Sequence, residues 1–176
     1  PAALLMSNFQ ASLRTIIRQT TKFEKIIPEL NFQLLQNSNG ENFITFFAAL
    51  YNRKKRELKY VNSGHNPPFL YSEKTKFQQL DSGSTVLGII DELPFINVGK
   101  IHGLDKFFLF AYTDGLIETF NENNEPFGQE RVFRIIQENV NENLEKLHKK
   151  VINEVTAFKG NNNFDDDITL LSCRLK

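Results

Sequence analysis

The stretch KFFLFAYTDG (residues 106–115) decides the fold, because an apolar run passes directly into an acidic turn. After Lys106, every residue up to Tyr112 is apolar, so the strand predicted over 106–112 should be buried on both faces. A strand of that kind lies in the middle of a sheet. It would hold the carboxylate of Asp114 at a fixed point where the strand meets a loop.

A second acidic site, FDDDIT (residues 164–169), precedes the last apolar stretch. Three consecutive aspartates repel one another unless a cation offsets their charge. Alternation along an extended segment would point Asp166 away from Asp165 and Asp167. If Asp166 faces Asp114 from a neighbouring strand, the two carboxylates offer the hard oxygen ligands that suit Mg²⁺ or Mn²⁺. Two such metals can align a water for attack on phosphorus.

Plainer interpretations of these residues remain open. Asp-Gly is a common turn dipeptide, and an acidic run after asparagine-rich sequence is typical of a solvated loop. Glu118, one helical turn after Asp114, either supports the metal ligands or is an ordinary surface acid. His65 in GHNPP fits a hydrogen-bonded turn better than a catalytic role. Cys173 lies in an apolar strand, where we expect a buried and inert thiol.

The rest of the chain predicts strand hairpins followed by helices. An amphipathic helix is expected over 2–20, with Pro1 suited to its first turn, and residues 22–40 are mixed and end in a turn over 37–40. The predicted strands are 43–51, 58–62, 69–71, 77–80, 95–101, 106–112 and 168–175; the charged segment 52–56 is a hairpin turn, and 83–88 is a loop. The strand at 69–71 should resume 58–62 after a break. Helices over 127–139 and 143–158 complete an α+β layered domain.

Composition excludes several classes of protein. The 176 residues include 21 Lys plus Arg and 21 Asp plus Glu, so the formal net charge is zero. That balance argues against nucleic-acid binding and against a polybasic membrane patch, so we expect no nucleic acid and no direct membrane contact. One cysteine excludes an internal disulfide and a cysteine-rich zinc site, and favours a reducing, cytoplasmic compartment.

Five short motifs follow one another in a fixed order: NSGHNPP (62–68), GSTVLG (83–88), LFAYTDGLIE (109–118), FG (127–128) and DDITLL (166–171). Together they resemble the SpoIIE/RsbU-like bacterial branch of the PPM metal-dependent serine/threonine protein phosphatases. The resemblance runs across nearly the whole chain. It implies an α-β-β-α sandwich, in which two antiparallel sheets are flanked by helices, with a two-metal Mn²⁺ or Mg²⁺ centre at one edge.

The resemblance also implies an activity and a set of site residues. The activity is hydrolysis of phosphoserine or phosphothreonine on a protein, in this branch often a small anti-sigma-factor antagonist. Asp114 matches the metal ligand of the family's Asp-Gly motif, which Gly115 completes, and Asp166 matches the ligand of the late acidic motif. Asp167 lies beside it at a position where asparagine is an alternative. Glu118 falls where some members have an acid linked to an extra metal.

The start of the chain departs from the family pattern. In the family the opening helix follows a Gly-Asp-Val-Ser-Gly-like segment whose aspartate bridges both metals, and this sequence begins just after it. We therefore expect residues 1–176 to be a single phosphatase domain that lacks its N-terminal strands and that motif. Its metal site should be partial and its activity weak or absent, while the parent protein, with an upstream sensor or membrane region, is the phosphatase.

Loss of strands should also expose sheet edges and favour self-association, which light scattering would test. Two other functions stay open. The domain could be an inactive pseudophosphatase that docks a partner, or a generic α+β interaction domain with coincidental aspartates.

Overall fold

The computed structural model describes residues 2–38 and 40–176. The backbone divides into two compact units: unit 1 is the chain up to His65 together with Leu80–Gly103, and unit 2 is Asn66–Gln79 together with Leu104–Lys176. Each unit has one β-sheet, its own helices and its own hydrophobic core. The predicted α+β class is therefore confirmed.

The elements are, in chain order, α1 (Ala2–Gln19), α2 (Phe23–Ser38), β1 (Phe46–Asn52), β2 (Glu57–Ser63), β3 (Phe69–Ser72), β4 (Lys76–Gln79), β5 (Gly83–Ser84), β6 (Gly99–His102), β7 (Phe107–Tyr112), α3 (Asp114–Ile117), α4 (Gln129–Glu138), α5 (Leu144–Lys159) and β8 (Leu170–Leu175). Among the described residues, no helix is both long and apolar enough to cross a lipid bilayer.

The sheet of unit 1 is built around β2. This strand pairs with β1 in an antiparallel hairpin that runs from Phe46 opposite Ser63 to Asn52 opposite Glu57, as the charged turn at 52–56 predicts. It also pairs with β6 in antiparallel and with the two-residue β5 in parallel orientation, so this sheet is not wholly antiparallel. Helices α1 and α2 contribute apolar side chains to the same core as Val61 and Leu87.

The sheet of unit 2 has the order β4-β3-β7-β8, and all of its pairs are antiparallel. Strand β7 lies inside the sheet, with Phe110 fully buried, which confirms the central position predicted for residues 106–112. Helices α4 and α5 pack against this sheet through Ile136, Leu147 and Val151, all within the unit-2 core. This buried strand is the platform from which the acidic site projects.

The segment predicted to be mixed, 22–40, contains the long helix α2 over Phe23–Ser38. Pro28 lies inside this helix and normally disfavours one, because it removes a backbone donor. Buried side chains at helical spacing, Ile27, Leu30 and Leu34 among them, outweigh that cost. The predicted places of Pro1 and Asn39 lie outside the described residues.

Four further predictions were wrong in whole or in part. The strand at 69–71 does not resume β2: β3 pairs with β4 and β7 in the other sheet. The strand predicted over 95–101 is confined to Gly99–His102, and the predicted loop 83–88 contains the short strand β5. Cys173 is exposed, because it lies on the outer strand β8, where only alternate side chains face the helices.

Candidate metal centre

Asp114 lies where the buried strand β7 ends and the short helix α3 begins. Thr113, between them, is extended, so the chain changes direction at this point. The Asp114 side chain is exposed, and its Oδ1 accepts a hydrogen bond of 3.1 Å from the backbone N–H of Gly115. The sequence therefore predicts correctly a carboxylate held on a rigid strand end and open to solvent.

Helix α3 is held in place by one buried side chain and by several hydrogen bonds. Leu116 is fully buried, and the hydroxyl of the buried Thr119 donates to the carbonyl of Gly115 over 2.6 Å. The chain that follows returns to α3, because the N–H of Phe127 donates to Thr119 O and that of Gly128 donates to Ile117 O. These bonds leave the backbone around Asp114 little freedom to move.

Thr113 ties the first acidic segment to the second. Its hydroxyl donates to the carbonyl of Asp167 over 3.0 Å and accepts from the N–H of Thr169 over 2.9 Å. Its own N–H donates to the carbonyl of Thr169 over 3.1 Å. Neither threonine is predicted as a site residue from the sequence. The available signal is a polar β-branched residue directly before Asp114 and another two residues after Asp167.

Gly115 lets the two segments approach each other closely. A Cβ at this position would lie 2.7 Å from the carbonyl oxygen of Asp167 and 3.2 Å from that of Asp166. Real Cβ atoms do not approach backbone oxygens so closely, so no residue with a side chain fits there without displacing the acidic loop. The structure thus brings Asp114 and the Asp166–Asp167 segment to the same end of β7.

The acidic run is bent rather than extended. Residues 165 and 166 form a bend, and Oδ1 of Asp166 accepts a hydrogen bond of 2.7 Å from the N–H of Asp167. The strict alternation of side chains assumed for Asp165, Asp166 and Asp167 is therefore wrong, because alternation applies only to extended backbone. All three carboxylates are exposed.

The charge of this site is not balanced by an ion pair. The structure records no salt bridge for Asp114, Asp166 or Asp167 within the described ranges. Lys159, six residues before the acidic run, is engaged elsewhere: its ammonium donates to the carbonyls of Gly160 and Asn162 and lies 5.2 Å from the ring centre of Phe164. A site with this excess of carboxylates attracts a cation from solution.

The ligand chemistry fits a divalent cation, but the ligand number is small. Exposed carboxylate oxygens of Asp114 and Asp166 are the hard donors that Mg²⁺ and Mn²⁺ prefer, and the missing Cβ of Gly115 leaves room for the two segments to meet. Within residues 2–38 and 40–176, no group of three His, Cys, Asp or Glu side chains could hold a metal together. Water, substrate or further protein groups would have to complete such a site.

Of the other candidate residues, Glu118 lies next to this centre and His65 lies in the other unit. Glu118 caps the end of α3 with its N–H bonded to Asp114 O, and its side chain is exposed. His65 lies in unit 1, where its N–H donates to Asn62 Oδ1 over 2.8 Å and its ring contacts Thr45 Oγ1 at 3.4 Å. That geometry agrees with the hydrogen-bonded turn expected for GHNPP.

The ring of Tyr112 lies directly before the acidic segment. Burial raises the pKa of its phenol, although a hydrogen bond of 3.0 Å from Gln129 acts in the opposite direction. The phenol therefore stays neutral under ordinary conditions and joins α4 to the end of β7. It adds no negative charge beneath the aspartates.

The chain has the fold of PP2C phosphatase domains. It superposes on the SiaA-PP2C domain of Pseudomonas aeruginosa with a TM-score of 0.84 at 18% identity, and the match covers 100% of this chain and 71% of that one. The phosphatase domain of SpoIIE from Bacillus subtilis, in a structure described as Mn presoaked, gives a TM-score of 0.61 at 15% identity, with 95% and 73% covered.

The family model for Stage II sporulation protein E (SpoIIE) matches residues 1–176, and the chain therefore belongs to the SpoIIE family. The phosphoserine phosphatase RsbU of Bacillus subtilis (strain 168) is 27% identical over 177 residues. That match covers 100% of this chain and 52% of RsbU, so the chain spans about half the length of this relative. The resemblance to the SpoIIE/RsbU-like branch, a class of protein serine/threonine phosphatases, is confirmed.

Proposed function

We propose that the protein hydrolyses phosphoserine or phosphothreonine on a regulatory protein in a reaction that depends on Mn²⁺ or Mg²⁺. The observation that carries this proposal is the junction between Thr113-Asp114-Gly115 and Asp166–Thr169. There, three hydrogen bonds of Thr113 and the bare Cα of Gly115 hold two acidic segments together. Membership of the SpoIIE family and the PP2C fold support the same reaction.

Asp114 and Asp166 would hold the metal, with Asp167 beside them and Glu118 available to a further ion. A bound divalent ion lowers the pKa of a coordinated water and neutralises charge on a phosphoryl group. The residues of this chain keep the carboxylates in place. Strand β7 and the buried Leu116 fix the backbone of Asp114, and the hydrogen bond from the Thr113 hydroxyl to the carbonyl of Asp167 keeps the Asp166–Asp167 backbone next to it.

The likeness to RsbU supports the proposed substrate class. Resemblance to the RsbU-like branch implies a small anti-sigma-factor antagonist as a frequent substrate, so a phosphorylated protein of that kind is the proposed substrate. An exposed site at a strand end suits a phosphorylated side chain on a folded protein, because such a substrate cannot enter a deep cleft.

The experiment measures Mn²⁺-dependent hydrolysis of a phosphoserine peptide by the chain and by the longest open reading frame that includes it. Asp114→Asn should lower the rate by about 100-fold or more, since groups that only orient a metal ligand are already worth about 10–100-fold. Asp81→Asn, at an exposed aspartate of unit 1, is the matched control and should leave the rate unchanged. Equal rates in both variants would remove Asp114 from the mechanism.

One observation favours a second function. Because the described residues offer no group of three metal-ligating side chains, a domain that docks a phosphorylated partner without hydrolysis is the alternative. It predicts that neither form of the protein turns over phosphopeptide while both bind it, as measured by fluorescence anisotropy. Turnover that is lost in Asp114→Asn would eliminate it.

A further inference from the structure

The loop between β5 and β6, residues 85–98 (the β5–β6 loop), is tied to unit 1 at both ends. Leu87 exchanges two backbone hydrogen bonds of 2.9 and 3.0 Å with Ile44. Near the other end, the N–H of Asn97 donates to the carbonyl of Gly83 over 2.8 Å. The ends of the loop are therefore fixed by backbone pairing.

Its middle is fixed by one buried amide. Asn31, on α2 and 1% exposed, donates from Nδ2 to the carbonyls of Ile90 and Asp91 over 2.9 and 3.0 Å. Its Oδ1 accepts from the N–H of Gly88 over 2.9 Å. This buried asparagine uses both of its amide hydrogens and accepts one hydrogen bond at Oδ1, so release of the loop would leave polar groups without partners in the core.

The loop nevertheless presents large apolar side chains to solvent. Leu93, Ile96 and Val98 pack against the unit-1 core, whereas Ile89 and Phe95 are 55% and 51% exposed. Ile90, whose carbonyl Asn31 holds, is also exposed. Exposed apolar residues on a backbone held this firmly are typical of a preorganised binding surface, since little entropy is lost when a partner docks.

The charges beside these residues select the partner. Asp91 and Glu92 are exposed, residues 77–99 contain no lysine or arginine, and no ion pair is recorded for either acid in the described part of the chain. Two unbalanced carboxylates repel nucleic acid and anionic lipid, and attract lysine or arginine. The complementary surface combines apolar side chains with basic ones.

We propose that the β5–β6 loop docks a protein segment that carries apolar side chains flanked by lysine or arginine. Ile89, Ile90 and Phe95 supply the apolar contacts, and Asp91 with Glu92 sets the charge preference. The loop belongs to unit 1, whereas the acidic metal centre belongs to unit 2. The proposal therefore goes beyond hydrolysis of a phosphate ester and does not depend on it.

The test selects peptides from a phage-displayed library of random 16-residue peptides on the chain, with removal of phage that bind the variant Asp91→Lys/Glu92→Lys. Enriched peptides should carry at least two basic residues beside apolar ones. A synthetic copy should bind the chain in fluorescence anisotropy, and binding should weaken about 10-fold in Phe95→Ser, as for a central interface residue. Binding should also weaken as salt rises.

Two controls keep the result interpretable. Glu24→Lys/Glu73→Lys reverses two exposed charges elsewhere and should bind the peptide as the unchanged chain does. Asp91→Asn/Glu92→Gln removes the charge without reversing it and should show an intermediate loss; circular dichroism checks that each variant folds. Three outcomes would overturn the proposal: no enrichment, enriched peptides without basic residues, or binding of the chain to phosphatidylglycerol vesicles that Phe95→Ser abolishes.

Discussion

Gly115 determines how closely the two acidic segments of the candidate metal centre can approach each other. Its Cα occupies a point that leaves no room for a methyl group, since the carbonyl of Asp167 lies 2.7 Å from where a Cβ would be. From the sequence, Asp-Gly predicts a turn, where glycine is favoured for its backbone freedom. In the structure, the absence of a side chain at the same glycine allows two chain segments to approach each other closely.

Gly115→Ala should destabilise the protein by about 1–3 kcal/mol, because the added methyl group meets backbone that cannot yield cheaply. The same substitution should weaken Mn²⁺ binding, since it moves Asp166 and Asp167 away from Asp114. Urea denaturation measures the first effect, and Mn²⁺ titration of the folded protein measures the second.

Gly40→Ala is the matched control for that substitution. Gly40, in unit 1, has φ of +75°, and the atom nearest to a methyl group added there would be Leu35 Cδ2 at 4.0 Å, so only backbone strain is added. The substitution should cost about 1–3 kcal/mol and leave Mn²⁺ binding unchanged. Equal effects of both variants on Mn²⁺ binding would show that the contact at Gly115 does not shape the centre.

The individual site residues were predictable to different degrees. Asp114 was found from the sequence because a buried apolar run fixes where its strand ends. The orientation of Asp166 was not, because a bend at residues 165 and 166 breaks the alternation on which the prediction rested. Thr113 was missed, since its two side-chain partners lie 54 and 56 residues away and leave no local pattern.

At the scale of elements, α5 and β8 meet through a polar contact inside an apolar layer. Nε2 of His148 lies 2.7 Å from the hydroxyl of Ser172, and the imidazole also packs edge-on against Phe110. Burial lowers the pKa of His148 below its usual value. The folded protein therefore favours the neutral ring more strongly than the unfolded chain does.

This difference predicts a loss of stability on the acid side. As pH falls through about 6.5, the unfolded chain takes up a proton at this position more readily than the folded one, so the free energy of unfolding decreases until the lower folded pKa is passed. His148→Gln should reduce the fall in melting temperature between pH 7.5 and pH 5.0. His102→Gln, at an exposed histidine, should retain it; an unchanged profile in His148→Gln would refute the assignment.

Secondary-structure elements were predictable where the local sequence pattern is strong. They were missed where tertiary contacts determine the conformation or the strand pairing. The β1–β2 hairpin follows from two apolar runs around a charged turn, and β7 from its continuous apolar run. Helix α2 was not predicted, because Pro28 normally disfavours a helix. Burial of apolar side chains of α2 in the unit-1 core offsets that cost. The transfer of β3 to the second sheet depends on pairing with β7, about 40 residues away, which no local signal encodes.

At the scale of the molecule, two separate hydrophobic cores imply that a ligand can stabilise one unit more than the other. Mn²⁺ at ten times its dissociation constant should raise the free energy of unfolding by about 1.4 kcal/mol. Hydrogen exchange should slow first at residues 113–119 and 164–169, in unit 2.

The effect of Mn²⁺ should disappear on addition of EDTA and be absent in Asp114→Asn. Slower exchange confined to unit 1, or an equal effect in Asp114→Asn, would place the ion elsewhere. Asp81→Asn again supplies a control with the same loss of charge.

The exposed cysteine of β8 offers a way to follow these events. Cys173 is the one cysteine of the sequence, and it lies beside Ser172, the partner of His148, and Arg174, whose guanidinium sits 5.2 Å from the ring centre of Phe108. A maleimide-linked dye would therefore attach at a single place, on the sheet of unit 2. Its emission would report on that unit alone, and unmodified thiols would need a reductant during storage to prevent copies from becoming covalently linked.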